Sequence, residues 1–193
     1  MTAISKEHIT SIKRSPNSDF AKFIINQRDI GSIVFTLKNL GALPDDFNAE
    51  FLYGLLKHEN PQVRQLAAKN IGKLKLKSDA NVLLLVYKQE DDTKVRREIV
   101  SAIGRQRSVK NKSILFGFLQ DIDPKIVCQA IGGLLVFEND KDVEKGLKPL
   151  LNHPNEMVRT VIYKEYFSEQ KCSNNVLPHT ETYQFLKNTV VIP

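Results

Sequence analysis

The sequence predicts an all-α protein, an α-α superhelix of about 4.5 helix-pair repeats. Three observations lead there: a segment recurs every 31 or 32 residues, its apolar positions are spaced as on one face of a helix, and each copy opens on a short polar turn carrying a helix-capping residue.

Residues 60–72, NPQVRQLAAKNIG, match residues 92–104, DTKVRREIVSAIG: Val63, Arg64, Ile71 and Gly72 fall on Val95, Arg96, Ile103 and Gly104, 32 positions on. A further 31 residues reach DPKIVCQAIGGL, where Pro124 answers Pro61 and Ile126 answers Val63, and another 32 reach Val158 and Arg159. Gly41, 31 residues before Gly72, closes a weaker copy, as expected of a terminal unit.

Within the copies, Val63, Leu66, Ala67, Asn70, Ile71 and Leu74 follow helical spacing, as do Val95, Ile99, Ala102 and Ile103. These are the second helices of pairs. The first helices are expected near 47–57, 79–89, 112–120 and 142–151. Between the two runs lie the turns HENP, EDDT, DIDP and HPNE, in which Asn60, Asp92, Asp123 and Asn155 suit the N-cap and Pro61 and Pro124 the first helical turn. Small residues Ala67, Ala68, Ala102, Ala130, Gly132 and Gly133 allow neighbouring helices a close approach. The expected core is Phe51, Leu55, Val63, Ala67, Ile71, Leu84, Val95, Ile99, Ile103, Leu115, Leu119, Ile126, Ala130, Leu134, Leu147, Leu151, Val158 and Ile162. Residues 1–16 read as an N-terminal extension, 17–167 as the repeat array and 168–193 as a tail or linker.

The frame acidic or Asn, Pro or Thr, x, Val, Arg, x, x, Ala resembles HEAT repeats, especially the short bacterial kind also found in phycobilin lyases. The resemblance covers residues 48–167 well and 17–43 weakly, and departs at Val127, where the frame has Arg. In such repeats the Arg bridges to an acid in the neighbouring turn, so Arg64, Arg96 and Arg159 are expected to order the stack.

Composition places the chain among folded proteins: 193 residues, 41% hydrophobic and 26% charged, with 9 Gly and 8 Pro. Cys128 and Cys172 have no second Cys or His at metal-binding spacing, so no metal or cofactor is expected and reduced thiols in a cytoplasmic protein are the default. Nor is there a signal-peptide core or an apolar stretch of membrane-spanning length.

Enzyme chemistry finds no constellation. His8, His58, His153 and His179 are scattered, and His58 and His153 occupy equivalent turns, which makes them turn residues. No phosphate-cradling Gly-rich loop, HExxH or nucleophile elbow is present. The carboxylates Asp91, Asp92, Asp121 and Asp123 sit at repeat positions that suit capping or pairing with a neighbouring Arg better than metal binding. A non-catalytic binding module follows.

Its charge points toward an anion. The net charge is +6, from 28 Lys and Arg against 22 Asp and Glu, and residues 57–112 alone hold 14 basic against 6 acidic residues. KLKLK at 73–77 and RQRSVKNK at 105–112 follow two equivalent helices, so Lys73, Lys75, Lys77, Arg105, Arg107, Lys110 and Lys112 are expected along one edge, where they would contact the phosphates of duplex DNA without reading its bases, or alternatively an acidic protein surface. The tail ends on the apolar TVVIP, a layout that resembles bacterial proteins in which a HEAT region precedes a DNA amino-methyltransferase domain; the resemblance implies a DNA-contacting or scaffolding part of such an enzyme, whose catalytic motifs are absent here. HEAT-like DNA glycosylases also use a basic solenoid, but they rely on Trp, of which this chain has 0. The phycobilin lyase reading is weak, and the principal rival is a protein-interaction scaffold with an apolar, aromatic groove.

Overall fold

The computed structural model describes residues 4–13, 20, 22–24, 26–27, 29–43, 47–74, 80–137 and 139–170, with side chains as far as residue 164. All regular structure among them is helical: α1 (Lys6–Lys13), α2 (Ile30–Asn39), α3 (Glu50–Leu55), α4 (Pro61–Ile71), α5 (Ala80–Gln89), α6 (Thr93–Arg105), α7 (Lys112–Phe118), α8 (Pro124–Leu134), α9 (Lys141–Leu147) and α10 (Glu156–Gln170), with residues 20 and 22–24 helical as well. Short 3-10 turns, Val109–Asn111 and Lys148–Asn152, precede α7 and follow α9. The chain is an all-α, HEAT-like helical-repeat solenoid. Residues 6–13, inside the segment read as an extension, are helical; α1 packs against α2 with Ile9 fully buried.

Each second helix starts where the turn chemistry dictates. The side chain of Asn60 accepts from the amides of Gln62 and Val63, and that of Asp92 from Lys94 and Val95. Asp123 accepts from Lys125 and Asn155 from Met157, so all four expected caps satisfy amides that a helix start leaves without a partner. Pro61 and Pro124 open α4 and α8, where the missing N–H costs nothing. One further device recurs two residues before each cap: the cap's own amide donates to His58 Nδ1, Glu90 Oε1, Asp121 Oδ1 and His153 Nδ1, at 3.0, 2.9, 2.9 and 3.1 Å. Four turns of different composition are thereby closed by one geometry.

The second helices α2, α4, α6, α8 and α10 pack side by side in sequence, and α3, α5 and α7 each lie against the second helix of their own unit. Small residues permit this contact. Ala67, Ala68, Ala102 and Ala130 are fully buried, and a Cβ added to Gly72 would stand 2.8 Å from Ala102 Cα. Of the glycine pair read as packing, Gly133 lies against Gly104, whereas Gly132 faces open space; the two are neighbours in sequence but point about 100° apart around the helix.

Every core residue expected on a second helix is buried. Among the first-helix and adjoining positions, Leu115, Leu119 and Leu147 are buried too, but Phe51, Leu55, Leu84 and Leu151 are half-buried while their neighbours Leu52, Leu56, Leu83 and Leu150 take the interior. Adjacent apolar residues at each place leave the phase of a short helix open to either choice, and only the partner helix selects one. Phe20, Phe47 and Phe51 form an aromatic cluster near the N-terminal end, with centroids 5.4–5.8 Å apart.

Candidate partner-binding surfaces

The helix-start arginines lie across the joints between units. Arg64 donates from Nε and Nη2 to Glu90 Oε2 and Oε1, at 2.7 and 2.8 Å, while its Nη1 donates to the carbonyls of His58 and Glu59 at 2.8 Å each. One guanidinium thus clamps its own turn and the turn of the next unit. Burial pushes the Glu90 carboxyl up, but Arg64 and the Asp92 amide more than offset it, leaving its pKa below the ordinary value. At the next joint Arg96 donates to the Tyr87 hydroxyl at 2.6 Å and stands 3.5 Å from Asp121, and Tyr87 in turn donates to Asp121. Burial, reinforced by that carboxylate, pushes the Tyr87 phenol up to about 12. Arg97 adds a pair to Asp123 at 2.8 Å. At the third joint the row is interrupted, with Val127 fully buried in place of the Arg.

The seven cations read from sequence as an edge divide into groups. Lys75 and Lys77 lie outside the described residues. Lys73 Nζ donates to Gly41 O and Asn70 Oδ1, at 3.0 and 2.8 Å, tying α4 to the end of α2; burial, with the nearby charges of Lys69, Arg105 and Lys13, holds its pKa below the usual lysine value. Arg105 is engaged along its own helix, by Glu98 at 2.6 Å and Ser101 at 2.7 Å. Lys112 pairs with Asp140, the N-cap of α9, and that ammonium together with the Val143 amide keeps the carboxyl below its ordinary range. Arg107 and Lys110 are exposed. Sequence spacing could not tell that Lys73, Arg105 and Lys112 satisfy groups of the fold.

A different surface emerges between the first helices of adjacent units. An open groove of about 500 Å3 runs between α5 and α7, walled by Leu84, Tyr87, Ile114 and Phe118, with Lys88, Gln120 and Asp121 also in its lining. Tyr87 and Phe118 meet edge to face at 4.7 Å between centroids. Gly117 lines the groove as well, and a Cβ there would meet nothing within 4 Å. The missed signal was Gly117 itself: a glycine on an exposed helical face flanked by two phenylalanines leaves a depression between apolar walls. Asp121 belongs to the Arg96 and Tyr87 network, so its charge is already compensated.

The remaining candidates for chemistry have structural partners. His58 and His153 accept turn amides, Asp92 and Asp123 cap helices, and Asp123 also holds Arg97. His179 and Cys172 lie outside the described residues. Among the described residues no three His, Cys, Asp or Glu side chains gather as a metal site would require, and no helix is long and apolar enough to cross a membrane. Cys128 is half-buried, and burial, then Asp123, pushes its thiol up.

Comparison with known proteins agrees with this architecture. The family model for HEAT repeats matches residues 33–104. The crystal structure of an engineered protein is similar, with a TM-score of 0.50 at 14% identity, covering 88% of this chain and 93% of that one; at such identity the likeness concerns the fold. No curated protein matches the chain.

Proposed function

We propose that the chain is a non-catalytic binding scaffold that docks a protein partner in the groove between α5 and α7. The observation that carries this reading is the groove's composition: Leu84, Ile114, Phe118 and the Tyr87 ring leave an apolar, aromatic depression open to solvent, the type of surface that anchors protein contacts. HEAT repeats serve widely as interaction scaffolds, and this use needs no catalytic group. The partner segment presents an apolar side chain to the depression. The exposed Lys88 at its margin favours acidic flanks.

The test uses Gly117→Trp, which fills the groove from a position where a Cβ meets nothing within 4 Å, and Gly132→Trp as a control in equally open space elsewhere. A partner recovered by photo-crosslinking from position 88, an exposed residue in the groove lining, is then measured against both variants. The reading requires G117W to weaken binding at least about tenfold and G132W to leave it unchanged. Equal affinities for both would remove it.

A second reading keeps the cationic edge as a contact for duplex DNA, in the setting of a HEAT region ahead of a methyltransferase domain. What supports it is the pair Arg107 and Lys110, both exposed, with Lys75 and Lys77 in the same basic runs. Lys73, Arg105 and Lys112 support it less, since each has a partner within the chain.

A further inference from the structure

The turn between α7 and α8 carries an apolar side chain that the fold does not use. The residue just before each helix cap is Glu59, Asp91, Ile122 and Pro154 in the four turns, and it is exposed in every one. Glu59 and Asp91 serve turns of the same geometry, so the turn itself does not call for an isoleucine. Ile122 is nevertheless 95% exposed, more than any other large apolar side chain among the described residues, and it adjoins Asp121 of the groove lining. It follows Gly117, where the depression lies open, by five residues, about 8 Å at the helical rise of 1.5 Å per residue. The rim is also of mixed sign. Lys88 is exposed in the lining, Asp91 is exposed three residues on, and neither forms an ion pair among the described residues.

We propose that the occupant of the α5–α7 groove is a second copy of this chain, bound about a two-fold axis so that Ile122 of each copy enters the groove of the other. The inference rests on the reading of the groove as a docking site and names its partner. A two-fold contact pairs one patch with itself, so an exposed apolar side chain and the depression that receives it must lie side by side on that patch. Ile122 and the Gly117 depression do so, and an axis passing between them exchanges both at once. The rim charges are met in the same way, Lys88 of one copy facing Asp91 of the other. An unrelated apolar segment fills the groove without involving Ile122; self-association covers both apolar features with one contact.

Sedimentation equilibrium of the full chain measures the self-association. The unchanged chain is expected to dimerise, with Ile122→Ser and Gly117→Trp each weakening the dimer at least about tenfold and Gly132→Trp leaving it unchanged. An equimolar mixture of I122S and G117W, one of them carrying a fluorophore, is expected to form a mixed dimer more tightly than either variant pairs with itself, because the mixture restores one Ile122 facing one open groove. Circular dichroism shows that each variant is folded before the measurement. A chain that stays monomeric up to about 100 μM, or a dimer indifferent to I122S, overturns the proposal. If that monomeric chain still captures another protein from position 88, and G117W abolishes the capture, the second copy is excluded and the groove reading stands. Indifference to G117W in both assays removes the groove itself, and the proposal with it.

Discussion

Gly104 and Gly133 meet backbone to backbone: a Cβ built on Gly104 would stand 2.8 Å from Gly133 Cα, and one on Gly133 would stand 2.9 Å from Gly104 Cα. The contact sets how closely α6 and α8 approach.

Adjacent glycines on α8 are expected to respond in opposite directions. Gly133→Ala also brings its methyl 3.1 Å from Leu115 Cδ2, so the helices must separate, and a loss of about 1–3 kcal/mol follows. Gly132→Ala meets nothing within 4 Å and gains about 0.5–1 kcal/mol, because alanine loses less backbone entropy than glycine in a helix. Denaturant melts of the two variants measure both signs.

The joint between Arg64 and Glu90 contributes stability that depends on pH. The side chain of Glu90 is 4% exposed, and Glu90→Gln leaves Arg64 without its counter-charge; a loss of about 2–4 kcal/mol is expected at neutral pH. Because the folded-state pKa of Glu90 is lowered, its contribution is fully present above the unfolded glutamate value, about 4.3, and is lost as pH falls through the folded value. Below that range E90Q and the unchanged chain should converge in stability. A constant difference down to about pH 2 would contradict the assignment.

Ile103 is fully buried in α6, between the layers. Ile103→Asp places an unpaired carboxylate there at a cost of several kcal/mol, comparable with the stability of a whole domain, so cooperative unfolding should disappear from the melting curve.

The two exposed cations and the paired Lys112 separate electrostatic binding from stability. Arg107→Glu with Lys110→Glu should leave the melting temperature nearly unchanged and reduce any affinity for duplex DNA, with the log–log salt slope falling by about 0.9 per lost phosphate contact. Lys112→Glu, by contrast, sets a second carboxylate against Asp140 at the start of α9 and should lower stability. DNA affinity insensitive to the first pair of changes would take the phosphate contact away from Arg107 and Lys110.

Repeat number, the order of helices and the positions of caps follow from local chemistry, which the chain states outright. Asn60, Asp92, Asp123 and Asn155 act on amides two or three residues away, so sequence alone determined where each second helix begins. The buried faces of the longer second helices were equally legible, because several turns of regular spacing allow one phase. The short first helices allowed two, and Leu52, Leu56, Leu83 and Leu150 were chosen over their neighbours by the helix packed against them. Charge behaved in the same way. The sequence counts Lys73 and Lys112 as cations at one edge, but their partners, the Gly41 carbonyl and Asp140, lie 32 and 28 residues away, and only chain folding brings those groups within hydrogen-bond reach. The α5–α7 groove is likewise a property of two elements from different units. Local hydrogen bonding and periodicity decide what the helices are; contact between distant segments decides which of their faces and charges remain for a partner.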